Sequence, residues 1–295
     1  MRVQPEELEP LRRVDLAYGV EGVTAADREA ELLVLVRGGE ALAAVRAVRD
    51  AAGLDLVGLH SHIGSQIFDA GGFEVAAHRV VGLLAEVRDQ LGVVLGELNL
   101  GGGLGIAYTS ADDPADVRAM GRSLADIVDR ECRAAELPVP SLAIEPGRGV
   151  VGPGTVTVYE VGTVKAVEGL RTFVSVDGGM SDNIRTALYD ADYTVTLASR
   201  TSDAPPMLAR VVGKHCESGD VVVKDAWLPA DVGPGDLLAV AATGAYCRSM
   251  ASTYNHVPRP PVVAVTEAGS RVLLRRETLD DLMTLDAGAD RPEGD

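Results

Sequence analysis

The 295-residue chain lacks any apolar run approaching the roughly 18 residues that a membrane-spanning helix needs. Its amino terminus, "MRVQPEELEP", has neither the basic region nor the apolar core of a secretory signal, which leads us to expect a cytoplasmic protein. Basic residues are scarce. Against 44 Asp and Glu stand only 27 Lys and Arg, giving a formal net charge of −17 and a pI near 4.7. Neither nucleic-acid phosphates nor an anionic lipid surface suits such a chain as a partner, because both require clustered cations. Cysteine is limited to Cys132, Cys216 and Cys247. Three widely spaced thiols cannot all pair, so free thiols in a reducing compartment are expected. No Cys/His spacing resembles a zinc ligand set, and no metal is expected. Lysine occurs only at positions 165, 214 and 224.

What the chain has is apolar content, 46% of its residues, enough for one large domain or two ordinary ones. Between residues 31 and 152, short apolar runs alternate with helical patterns. "ELLVLV" precedes "EALAAVRAVRDAAG", and "LDLVGLHSHIGS" precedes "FEVAAHRVVGLLAEVRDQLG". In the latter, Val75, Val80, Val81, Leu83, Leu84 and Val87 recur at helical spacing. "VVLGELNLGGGLG", a helix around "VRAMGRSLADIVDRECRAAE", and "SLAIEPGRGVVG" complete the series. Apolar strands separated by helices indicate buried parallel strands in βαβ units, with ligands at their carboxyl ends. From residue 153 to 295, short strands punctuated by Gly, Pro and Asp turns predict an antiparallel β domain of sandwich or barrel type. About four strand-helix units precede it, where a closed (β/α)8 barrel needs eight. Residues 1–30 form a poorly defined segment.

The chemistry-bearing strings lie at predicted strand ends. "LHSHIGSQ" sets His60 and His62 on one strand face before Gly64 and Ser65. An imidazole there can stack on an aromatic ligand and a Gly-Ser turn can bind an anion, although a buried histidine followed by an ordinary turn has the same pattern. "LNLGGGLGI" places Gly101, Gly102, Gly103 and Gly105 after a strand, where the backbone could approach a phosphate or simply turn tightly. It does not follow the dinucleotide-binding spacing G-x-G-x-x-G. "AIEPGRG" holds Glu145 and Arg148, a carboxylate able to keep a ring nitrogen protonated and a guanidinium able to grip an anion, or else a local ion pair. "VDGGMSDNIRTALY" offers Asp177, Arg185 and Tyr189, and "ATGAYCRS" offers Gly244 and Tyr246. "VVGKHCESGD" crowds Lys214, Cys216, Glu217 and Asp220 into seven positions.

Together the strings "GLHSHIGSQ", "GGGLG", "EPGR", "DGGMSDNIR", "CESGD" and "GAY" resemble those of the fold-type III pyridoxal-phosphate (PLP) decarboxylases, and most closely the diaminopimelate decarboxylase family. The resemblance implies a (β/α)8 barrel of the alanine-racemase-like type followed by a β domain, a homodimer with shared active sites, PLP as cofactor, and decarboxylation of meso-2,6-diaminopimelate to L-lysine. It implies that His62 stacks on the PLP ring. Ser65 and the Gly103 region would bind its phosphate, Gly102, Gly147 and Arg148 would also bind the cofactor, and Glu145 would pair with the ring nitrogen. Arg148, Arg185 and Tyr189 would hold the substrate's distal end, and Tyr246 would contact both phosphate and substrate. Cys216 would return the proton after CO2 leaves and Glu217 would contact the distal amine, both reaching across the dimer interface. A thiol suits that task, since an ordinary value near 8.5 lets it hold a proton at neutral pH and still release it.

One family feature is missing. The lysine that tethers PLP as a Schiff base lies near the family's amino terminus, in a Tyr-Ala-x-Lys type motif absent from this sequence. Lys165, Lys214 and Lys224 all fall in the β domain. The expectation is a decarboxylase chain lacking the first part of its barrel and impaired for lack of that amine. The alternatives are a lysine-less paralogue acting as dimer partner or PLP-binding non-enzyme, and a relative acting on ornithine, arginine or carboxynorspermidine.

Overall fold

The computed structural model describes residues 41–286, which divide into two compact units. Of the described residues, the first comprises 41–105 together with Pro114–Gly147, and the second comprises Ile106–Asp113 together with 148–286. The expected strand "ELLVLV" and the segment 1–30 lie outside the described residues.

In the first unit, strands β1 (Gly58–His60), β2 (Glu97–Asn99) and β3 (Ser141–Ala143) pair in parallel in the order β1-β2-β3. Parallel neighbours need crossovers, supplied by helices α2 (Gly71–Leu91) and α3 (Val117–Ala134), while α1 (Ala41–Asp50) packs against α2. The buried stripe of α2 is Phe73, Ala76, Ala77, Val81, Leu84 and Val87. Of the residues expected on that stripe, Val75 is instead 52% exposed, because a residue two positions from Phe73 and Ala77 points away from the face they share. Helix α3 starts at Asp116, whose carboxylate accepts the Ala119 N–H at 2.8 Å. Its Met120, Leu124, Ile127, Val128 and Cys132 pack with Phe73, Val81, Leu98 and Leu100. Burial of each large aliphatic side chain there contributes about 1.5–3 kcal/mol.

In the second unit a six-stranded sheet runs β6-β9-β4-β5-β7-β8, formed by β4 (Thr157–Val167), β5 (Arg171–Val176), β6 (Val195–Leu197), β7 (Pro206–Val212), β8 (Val221–Pro229) and β9 (Leu237–Val240). The edge strands β6 and β8 come close to one another, so the sheet curls like a barrel. Tyr159, Val161, Val174, Val176, Val211, Leu228, Leu238 and Val240 point inward. Sequence pattern predicted antiparallel pairing throughout, but β5 and β7 are parallel. The reason is the long connection between them, which carries β6 and the short helix α5 (Arg185–Tyr189) and so permits a crossover; α4 (Gly147–Val151) precedes both. A separate hairpin joins β10 (Val262–Thr266) to β11 (Gly269–Leu274). Among the described residues, no helix is long and apolar enough to cross a membrane.

Candidate active site

The carboxyl ends of β1, β2 and β3 form one cluster in the first unit. β1 runs into Ser61, whose N–H reaches the Asn99 carbonyl at 2.9 Å, and then into His62, Gly64 and Ser65. β3 runs into Glu145, whose N–H donates to the Gly101 carbonyl at 2.9 Å. Buried Asn99, at the end of β2, ties these loops together. Its Oδ1 accepts the Gly101 N–H at 2.8 Å, and its Nδ2 donates to Glu145 Oε1 at 2.9 Å. His60 Nε2 lies 3.5 Å from the same carboxylate oxygen. The Glu145 side chain is 46% exposed, so one oxygen is oriented by Asn99 while the carboxylate still faces outward.

The glycine-rich loop and the histidine loop interlock. The Gly102 N–H donates to His62 Nδ1 at 3.2 Å, which makes Nδ1 an acceptor and puts the proton of a neutral ring on Nε2. Gly103 has φ +95, and a Cβ there would collide with the Gly64 carbonyl oxygen. That contact requires glycine both for its left-handed backbone and for its missing side chain. The Gly103 carbonyl accepts the Ile67 N–H at 2.9 Å. His62, Ser65, Gly102, Gly103, Glu145 and Gly147 thus share one strand-end cluster, where the backbone can come close to a bound anion.

In the second unit, Arg185 and Arg148 are linked through the phenol of Tyr108. Arg185 is only 6% exposed, and its Nη1 donates to the Tyr193 hydroxyl at 2.6 Å. Its Cζ sits 4.6 Å from the Tyr108 ring centre, and the Tyr108 hydroxyl accepts from Arg148 Nη1 at 2.5 Å. Arg148 also lies over the Tyr246 ring at 4.8 Å. Tyr246 holds the left-handed φ of 60 without being glycine, a strain that proteins tend to keep at functional positions. Burial pushes the Tyr193 hydroxyl and the Cys247 thiol above their ordinary values, so both stay protonated beside Arg185. Tyr189, at the far end of α5, is 61% exposed.

The Cys216 loop follows β7. Cys216 is exposed, whereas the loop beneath it is fixed by buried Asp220. Asp220 accepts the His215 N–H at 2.7 Å and the Met180 N–H at 2.6 Å. His215 Nε2 pairs with Ser181 Oγ at 2.8 Å, and Tyr254 donates its hydroxyl to Glu217 at 2.5 Å. The loop after β5, which leads to Arg185, is therefore bonded directly to the loop that presents Cys216 and Glu217. Nearby, burial pushes Asp182 above the ordinary carboxylate value even though Tyr159 and the Gly179 N–H donate to it.

The three lysines occupy other surroundings. Lys214 and Lys165 are exposed, and Lys224 is bound to Asp190 at 2.9 Å and Asp192 at 2.8 Å. Burial opposes the charge on Lys224, but the two carboxylates outweigh it and raise its value, leaving a protonated structural amine. Sequence reasoning assigned no role to Asn99, Tyr108, Tyr193, Asp220 or Tyr254. The one available signal for Asn99 was its place, two residues before the glycine run, and for Asp220 its place in the crowded "CESGD" string.

Comparison with known proteins bears on the same segments. Residues 36–152 match the model of the pyridoxal-dependent decarboxylase pyridoxal-binding domain, and residues 150–244 match that of the C-terminal sheet domain. The chain is 55% identical over 286 residues to the diaminopimelate decarboxylase of Mycobacterium tuberculosis, covering 92% of this chain and 64% of the relative. It is 41% identical over 270 residues to that of Bacillus subtilis, covering 92% and 61%. The crystal structure of diaminopimelate decarboxylase from M. jannaschii superposes with a TM-score of 0.78 at 30% identity, over 88% of this chain and 58% of that one. The Helicobacter pylori diaminopimelate decarboxylase complexed with L-lysine gives 0.73 at 32% identity, over 84% and 58%. The chain thus spans under two thirds of these relatives' length. The fold is that of the alanine-racemase-like decarboxylases, an α/β part followed by a β-sheet domain, and the pyridoxal-binding match indicates PLP as cofactor. The chain belongs to the pyridoxal-dependent decarboxylases, within the diaminopimelate decarboxylase family.

Proposed function

We propose that this chain carries the ring-binding and substrate-binding share of a decarboxylase that converts meso-2,6-diaminopimelate to L-lysine, on a partial (β/α)8 barrel and a β domain divided near residue 152. The strand-end cluster carries this reading: Asn99 Nδ2 orients Glu145 at 2.9 Å beside an interlocked histidine loop and glycine-rich loop. A polar clamp on an outward-facing carboxylate fits a protonated ring nitrogen, and the close backbone approach at Gly103 fits a phosphate. Bound PLP would supply an electron sink for the bond to CO2.

The chain's own residues have distinct tasks. His62 would stack on the ring, Glu145 would hold the proton on its nitrogen, Ser65 and the Gly103 region would bind the phosphate, and Gly102, Gly147 and Arg148 would also contact the cofactor. Arg148, Arg185 and Tyr189 would bind the distal carboxylate, Glu217 the distal amine, and Tyr246 both phosphate and substrate. Cys216 would donate its Sγ proton to the carbon that CO2 has left. Its exposure and the rigid loop beneath it support that role.

Residues 36–152, the pyridoxal-binding match, contain no lysine, and the lysines elsewhere are two exposed side chains and one held by two aspartates. That observation favours a second reading, in which these residues act with a complete subunit in a dimer with shared sites. The test mixes this chain with a full-length diaminopimelate decarboxylase whose loop cysteine is replaced by alanine. Release of CO2 from meso-diaminopimelate by the mixture, with none from either protein alone, supports the shared-site reading. Turnover by this chain alone would show that it supplies its own amine, and none under any condition would remove the enzymatic reading.

A further inference from the structure

The two arginines assigned to the substrate carboxylate lie far apart in the sequence of the second unit, and nothing in their own sequence neighbourhood sets their relation. Tyr108 touches both. Its ring lies 4.6 Å from the Arg185 Cζ and 5.7 Å from the Arg148 Cζ, within the range of cation-π attraction, and its hydroxyl accepts from Arg148 Nη1. The Tyr193 ring meets it edge-on at 5.2 Å. Tyr108 is itself fixed. Its side chain is 6% exposed, its carbonyl accepts the Thr194 N–H at 3.0 Å, and its N–H donates to Asp112 at 2.9 Å. Asp112 also accepts the Thr109 N–H at 2.8 Å and hydroxyl at 3.1 Å. Arg185 makes no ion pair with a carboxylate among the described residues; its near neighbours are the rings of Tyr108 and Tyr193 and the Tyr193 hydroxyl.

A buried guanidinium held by aromatic faces and a neutral hydroxyl keeps its positive charge uncompensated, which suits an anion that arrives from outside. We propose that Tyr108 is a positioning residue that sets the two guanidiniums of Arg148 and Arg185 to receive one carboxylate, and thereby selects amino acids bearing a second carboxylate. This inference rests on the reading of Arg148 and Arg185 as carboxylate ligands.

The test compares binding of meso-diaminopimelate and D-lysine to the full chain by titration calorimetry, because D-lysine keeps the reacting end of the substrate and lacks only the distal carboxylate. Tyr108→Phe keeps the ring and removes the hydroxyl; it should weaken diaminopimelate about tenfold and leave D-lysine unchanged. Tyr108→Leu removes both contacts and should weaken diaminopimelate roughly a hundredfold. Arg185→Gln serves as the reference, and thermal melts identify any variant that fails to fold. If Arg185→Gln abolishes the preference for diaminopimelate while neither Tyr108 variant does, the positioning role is wrong and the site reading stands. If Arg185→Gln also leaves the preference intact, or the parent chain binds neither ligand, the site reading fails and the role of Tyr108 fails with it. Equal weakening of both ligands by Tyr108→Phe would show a merely structural contact and overturn the proposal.

Discussion

The carboxylate of Asp220 accepts the backbone N–H of His215 at 2.7 Å, one residue before the exposed Cys216. Its other oxygen accepts the Met180 N–H at 2.6 Å, so one buried acid joins two loops that carry proposed site residues. Asp220→Ala leaves both donors without a partner and should cost roughly 2–4 kcal/mol. Asp220→Asn keeps one acceptor and should cost about half as much. Urea unfolding midpoints measure both. An alanine variant as stable as the parent would show that the Cys216 loop is held by other contacts.

Two glycines predict opposite outcomes. Gly103→Ala meets a left-handed φ of 95 and the Gly64 carbonyl, and should destabilise the first unit by about 2 kcal/mol or more. Gly82 lies inside α2, where an added methyl would meet no neighbouring atom within 4 Å, so Gly82→Ala should stabilise by about 0.5–1 kcal/mol. Chemical denaturation of the two variants beside the parent checks the pair, and shifts of the same sign would contradict it.

Asn99 holds two partners of different kinds, the Gly101 N–H and a Glu145 oxygen. Asn99→Asp preserves the acceptor for Gly101 but sets a second carboxylate against Glu145. The added charge repels the Glu145 carboxylate and removes the amide donor that oriented it. The variant should therefore have a lower urea midpoint than the parent at neutral pH. A midpoint equal to the parent's would contradict the clamp.

A pH effect arises at the Asp236 carboxyl, which Arg200 grips through Nε at 2.9 Å and Nη2 at 2.8 Å. The guanidinium, aided by the Gly233 N–H, holds this carboxyl at about 2, below the ordinary value near 3.9. Between about pH 4 and 2 the unfolded chain binds the proton first. The stabilisation is therefore complete above about pH 4 and disappears as pH falls towards 2. Arg200→Gln removes the cause, so the stability curves of parent and variant should converge through this window. Parallel curves would show that the pair contributes nothing.

The strings that identify the family were legible because each sits at a strand end, where glycine, histidine and paired charges are unusual in the surrounding apolar pattern. The parallel strands of the first unit were legible for a related reason, since buried strands separated by helical periodicity allow few arrangements. The parallel pairing of β5 and β7 was not, because an alternating strand reads the same in either direction. Val75 was misplaced because helical spacing marks several overlapping stripes, and only tertiary packing selects one. Tyr108 and Asn99 escaped notice for a different reason. Tyr108 meets Arg148 across 40 positions and Asn99 meets Glu145 across 46, and nothing in either local segment announces such a contact.

The central claim is that these residues provide a cradle for PLP without the amine that tethers it. Incubation of the full chain with PLP, reduction with borohydride and peptide mass spectrometry test it most directly. PLP uptake that inorganic phosphate competes away is expected, with no stoichiometric pyridoxyl group on any lysine after reduction. A stoichiometric pyridoxyl adduct at Lys165, Lys214 or Lys224, prevented by meso-diaminopimelate, would contradict it.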